Sequence, residues 1–131
     1  MSAESQSHGT ERRDRAGDEE SGAVAVFAAL SDPVRRALLT SLAQQGPATL
    51  TDLAARLPIT RQAVAKHLTH LVEAGLIRAQ APEGRRVCYR VDSAPMRQAM
   101  QWLAVLANDW DDRLDALARH LETRPTDPAG P

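Results

Sequence analysis

Residues 60–78, TRQAVAKHLTHLVEAGLIR, decide how this chain is read. At about 100° per residue, Gln62, Lys66, Thr69, His70 and Glu73 share one arc of a helix. Val64, Ala65, Leu68, Leu71 and Val72 share the opposite arc. The apolar arc predicts a buried face, and the polar arc predicts a face turned toward a partner. Thr60 stands where an N-cap belongs and Gly75 where a helix stops. His67 lies between the two arcs and reads as a packed, hydrogen-bonded histidine.

Upstream, LTDLAARL offers Thr49 or Thr51 as the cap of a short helix burying Leu50, Leu53, Ala54 and Leu57, which must stop before Pro58. Two short helices joined by PIT form a helix-turn-helix, with the second as recognition helix. Downstream, LIRAQAPEGRRVCYRV carries two strand-like runs about a PEGR turn. Val87, Tyr89 and Val91 fall on one face of the second run, and Arg86, Cys88 and Arg90 on the other. A helix-turn-helix followed by a basic two-stranded hairpin is a winged helix. Ahead of it, SDPVRRALLTSLAQQG reads as a complete helix, with Asp32 as cap, Pro33 at the first position, Gly46 past the end, and Leu38, Leu39 and Leu42 buried. Arg35 and Arg36 on it read as solvated or ion-paired. A preceding helix spans residues 23–30, with Val24, Phe27 and Leu30 at helical spacing.

The last helix, capped by Asp92 or Ser93, is expected over residues 95–121. Met96, Met100, Leu103, Ala107, Trp110, Leu114, Leu117 and Leu121 recur in steps of four and three. A second stripe of Ala99, Trp102 and Leu106 is free to pack on the domain. The seam then needs another partner, and a second copy of the chain supplies one. Met100, Leu103, Trp110, Leu114, Leu117 and Leu121 are the dimer-interface candidates.

The fold class is therefore mainly α with a small β wing and a long C-terminal dimerisation helix. Within 131 residues, a DNA-binding domain over 23–121 includes that helix, 95–121. Residues 1–22 are polar and expected to be a disordered tail, and 122–131 a flexible one. The net charge of −1 hides a division: residues 24–92 hold nine basic and five acidic side chains, between acidic flanks. A basic module suggests a polyanion partner. No apolar run is long enough to span a bilayer, and the start lacks a secretory pattern, so a cytoplasmic protein without a membrane partner is expected. The single cysteine, Cys88, builds neither a disulfide framework nor a thiolate cluster within one chain, and reads as a small half-buried residue. Ser31, Ser41 and Cys88 lack a strained nucleophile elbow, and no phosphate-cradling glycine loop occurs, so catalysis and cofactors are not expected.

The segments ALSDPVRRALLTSL, TLTDLAARLPITRQAVAKHLTHLVEAGLIR, PEGRRVCYRVD and WDDRLDALARHLE together resemble the ArsR/SmtB-type winged-helix transcriptional regulators. The resemblance implies a homodimeric DNA-binding repressor whose recognition helix enters the major groove. Metal sensing, known in the family, does not carry over. The paired-cysteine position reads TDLAARL, and Asp109 is followed by Asp111 where some members have a histidine. His120 with Glu122 and Asp115 leaves a metal-responsive site across a dimer as an alternative, and a protein-interaction winged helix as another.

Double-stranded DNA calls for base and phosphate contacts from one face. Gln62 can pair with adenine, and Lys66 can donate to guanine or phosphate. Thr69 and His70 can reach bases or backbone. Thr60, Arg61 and Ala63 lie at the helix N-terminus, where the dipole favours phosphate. Arg85 and Arg86 near the wing tip can clamp phosphate or enter the minor groove. No metal site is expected, and any effector is left unnamed.

Overall fold

The computed structural model describes residues 3–80 and 86–123, with side chains from Gly17 onward. In order they form α1 (Ala3–Leu30), α2 (Pro33–Gln45), β1 (Ala48–Thr49), α3 (Leu50–Arg56), α4 (Arg61–Glu73), β2 (Ile77–Gln80), β3 (Cys88–Val91) and α5 (Ala94–Thr123).

Local chemistry sets most of these boundaries. The Asp32 carboxylate accepts from the Val34 and Arg35 amides at 2.8 and 3.1 Å, with Pro33 in the first turn of α2. Gly46, at φ 88°, ends that helix. Thr49, not Thr51, caps α3: its hydroxyl accepts from the Asp52 amide while the Asp52 carboxylate accepts from the Thr49 amide, both at 3.1 Å. Thr60 accepts from the Ala63 amide at the start of α4. At its end Gly75 adopts φ 77°, and the Gly75 and Leu76 amides donate back to Val72 and Leu71.

Leu38, Leu53, Val64, Leu68, Leu71, Leu76 and Ile77 meet in the core, each at most 1% exposed. The wing strands β2 and β3 pair antiparallel, Ile77 opposite Val91 and Gln80 opposite Cys88. A third strand, β1, joins the far edge of β3, giving the order β1-β3-β2. It was not expected, because two residues are too few to show alternation. The PEGR turn and Arg85 lie outside the described residues.

Five expectations about element extents and buried faces need correction. The first helix reaches back to Ala3, where a tail was expected. No proline interrupts residues 1–32, and the helix is anchored at its other end, from which it can propagate. Its buried residues are Ala23, Val26 and Ala29, whereas Val24 and Phe27 are exposed. Small side chains allow close approach to α5, and Phe27 instead lies tilted against Trp102, ring centroids 6.3 Å apart. On α4, Val72 is 41% exposed, since the core is satisfied by positions 64, 68 and 71. On α5, Met96 packs on the core while Leu106 is 55% exposed, because the core cluster and the side chains packed on it reach along α5 only to Trp102. The C-terminal helix runs to Thr123, two residues into the proposed tail, and residues 124–131 lie outside the described ones.

Candidate nucleic-acid interface

The α4 helix brings its polar arc to the surface. Gln62, Lys66 and Thr69 are exposed, with the Thr69 hydroxyl donating to the Ala65 carbonyl at 3.1 Å. Ala63 is half-buried beneath them. His70 is displaced toward the helix end, its Nδ1 3.9 Å from Glu73 Oε2, and it borders a hollow that also meets Arg35 of α2. Gln62 and Lys66 are thus the long exposed side chains of this face that make no hydrogen bond among the described residues.

Thr60 has its hydroxyl oxygen committed to the helix cap, leaving the O–H proton to donate. Arg61 reaches across to α3, where its Nη2 donates to the Thr51 hydroxyl at 2.9 Å. Arg86, just ahead of β3 on the turn side of the wing, faces the same space. Thr49, Thr51, Asp52, Arg61, Arg86 and Tyr89 are among the residues lining a cleft of about 390 Å³ between helix-turn-helix and wing. The Asp52 carboxyl is held below the usual carboxylate range, first by the Thr49 amide and further by Arg56 and Arg86. It is therefore ionised at neutral pH and offsets part of the cleft's positive charge.

His67 is packed as expected, 19% exposed, but the expected hydrogen bond is not made at Nδ1, which lies 4.0 Å from the Asp32 carboxylate. That nitrogen is buried without a hydrogen-bond partner among the described residues. Arg36 is exposed, as expected, and Arg35 half-buried, but both also carry bonds that the sequence does not suggest. Arg35 donates to the Ala29 and Ala28 carbonyls at 2.7 and 3.1 Å, and Arg36 to Leu30 at 2.6 Å. They close the C-terminal end of α1, whose last carbonyls have no partner within the helix. Sequence spacing gives no sign of this, since donors and acceptors belong to different helices. Arg78 pairs with Asp92 at 2.8 Å and so ties β2 to the start of α5. The Asp92 carboxylate also accepts from the Ala94 amide, capping that helix.

Along α5, Met100, Leu103, Trp110, Leu114, Leu117 and Leu121 are 43–67% exposed. They continue into Val105 and Leu106 beside it, and Val24 and Phe27 of α1 are also open to solvent. So much contiguous apolar surface is unusual for a small protein in water. None of the helices in the described residues is long and apolar enough to cross a membrane.

A helix-turn-helix domain family matches residues 30–80. The uncharacterized HTH-type transcriptional regulator YuzN of Bacillus subtilis (strain 168) is 37% identical over 89 residues, 60% of this chain and 92% of that protein. The transcriptional repressor SdpR of the same organism is 29% identical over 89 residues, 68% of this chain and 97% of that protein. An ArsR-like transcriptional regulator from Rhodococcus sp. RHA1 superposes with a TM-score of 0.71 at 37% identity, covering 76% of this chain and 92% of that one.

Proposed function

This chain belongs to the ArsR family of transcriptional regulators, and on that premise we propose that it is a homodimeric repressor of the cytoplasm that binds a pseudo-palindromic operator. The observation that carries the reading is the exposed arc of α4, with Gln62 and Lys66 free to reach base edges beside an arginine-walled cleft for the backbone. Two such helices, related by a two-fold axis, would read major-groove faces about one helical turn apart, or a multiple of that. Occupying the promoter then blocks transcription.

Dimerisation is assigned to α5, whose seam from Met100 to Leu121 is left exposed by the described residues. Residues 23–121 form the working unit, since the core begins at Ala23. Binding alone accounts for these features, and no reaction is assigned. The effector is taken not to be a transition metal: the thiol is on the wing, His67 and His70 are on α4, and His120 has only carboxylates near it in sequence. Footprinting on the DNA upstream of the gene, repeated across a salt series, tests the reading. A protected pseudo-palindrome with steeply salt-dependent affinity is expected. Salt-insensitive binding or no protection would favour a protein-contact module instead.

A further inference from the structure

The cleft between α3, α4 and the wing has a chemistry that differs from the reading face beside it. Arg61 and Arg86 come from elements well apart in sequence and line the same 390 Å³ space. Arg56, the remaining arginine of the helix-turn-helix, is turned away and donates to Ser41 at 3.1 Å. The Asp52 carboxylate is engaged by the Thr49 amide, and one carboxylate faces two guanidinium groups.

Among the described residues, Arg61 is also the one candidate side chain of the recognition helix seen to hydrogen-bond to another element. Its Nη2 donates to the Thr51 hydroxyl at 2.9 Å, which ties the planar fork to α3 at the wall of the cleft. A guanidinium has five N–H donors, so one bond to Thr51 leaves the others available. The Thr51 hydroxyl accepts in that bond and keeps its own proton to donate. Two guanidinium groups and a hydroxyl around an open cleft suit a tetrahedral, multiply accepting anion carried on a chain that passes through.

We propose that this cleft seats one backbone phosphate of the DNA duplex between Arg61 and Arg86, with Thr51 as the positioning residue that holds the Arg61 fork toward it. The proposal rests on the DNA-binding reading and gives Arg61 a role different from its neighbours on α4. It anchors the strand beside the major groove and fixes the register in which Gln62 and Lys66 meet the bases, while carrying no sequence information itself. The ordering of Arg61 before DNA arrives reduces the side-chain entropy lost on binding.

The test uses the full chain, the operator duplex found by footprinting and a random duplex of equal length, each titrated by fluorescence anisotropy over a salt series. Arg61→Ala should weaken both duplexes by the same factor and flatten the salt slope by about one unit per chain. Thr51→Val should weaken both by about threefold, and Thr51→Ser should restore binding, since it keeps the hydroxyl. In the Arg61→Ala background Thr51→Val should have no further effect, which a merely structural role for Thr51 would not produce. Loss confined to the operator would make Arg61 a base reader and overturn the proposal. So would additive effects of the two substitutions. A wild-type protein that binds neither duplex would instead remove the DNA-binding reading on which the proposal stands.

Discussion

Leu114→Asp tests whether the apolar seam of α5 is an interface. Leu114 is 45% exposed, and its seam neighbours Trp110, Leu117 and Leu121 are 61%, 54% and 58% exposed. Complete burial of a leucine side chain is worth about 1.5–3 kcal/mol, so covering the open half gives about 1 kcal/mol per copy. A two-fold dimer counts each seam residue twice, which makes about 2 kcal/mol for this position alone. The substitution forfeits that contribution and adds a carboxylate beside Asp111, Asp112 and Asp115, all within a turn. Dimer affinity should therefore fall by more than about 30-fold. Sedimentation equilibrium over micromolar concentrations measures it, with far-ultraviolet circular dichroism as the control for folding. Leu114 lies outside the core cluster, so the protomer should keep its helix content. Operator binding should fall with dimerisation, although no DNA contact has been altered. A wild type that is monomeric at micromolar concentration, or a variant that dimerises within about twofold of it, would refute the argument.

Gln62→Ala and Lys66→Ala should each cost about 1–3 kcal/mol on the operator and much less on random DNA, and equal losses on both in competition titrations would contradict base reading. Addition or chelation of zinc, nickel or copper should change operator affinity by less than about threefold, or 0.65 kcal/mol; a large metal-dependent loss abolished by His120→Ala would restore a metal-sensing site. Asp32, Asp52 and Asp92 are each held below the usual carboxylate range, chiefly by the amides of Arg35, Thr49 and Ala94 respectively. Folding thus favours their ionised forms, and their contribution is complete above the ordinary value of 3.8 and lost as pH falls through the lowered folded values. Thermal melts should show Tm nearly level from about pH 7 to 5 and falling below about 4, and a Tm unchanged down to about pH 3 would count against these caps.

The boundaries of α2, α3 and α4 were legible because a cap acts over three or four residues, and Asp32, Thr49, Thr60 and Gly75 stand within that range of the groups they satisfy. Thr49 and Thr51 remained interchangeable from sequence, since only the folded chain brings Arg61 to Thr51 and leaves Thr49 to the cap. Helical periodicity located the outward arc of α4 but placed Val72 inside, because periodicity gives the direction of a side chain and not the extent of what covers it. The same limit explains Val24, Phe27 and Leu106, which point toward α1 and α5 surfaces that a single chain leaves open. The bonds made by Arg35 and Arg36 could not be read from sequence, as their acceptors belong to the preceding helix.

Those two arginines matter beyond closing a helix. The α1 helix packs on α5 through Ala23, Val26 and Ala29 and through Phe27 on Trp102, so α1 moves with the seam helix. Arg35 and Arg36 bind the end of α1 to the start of α2, where Asp32 caps α2 and faces His67 of α4. Two helices, α1 and α2, are therefore joined at residues 28–36 by bonds to backbone groups, and α4 approaches the same corner through His67, 4.0 Å from Asp32. Reading two half-sites at once requires a fixed separation between the outward faces of two α4 helices, and that separation can be set only through the elements linking each α4 to α5. Apolar packing supplies most of the attraction along this path, but it is non-directional and tolerates sliding. Directional hydrogen bonds at the corner restrict the angle between α1 and α2, and with it the orientation of the reading face.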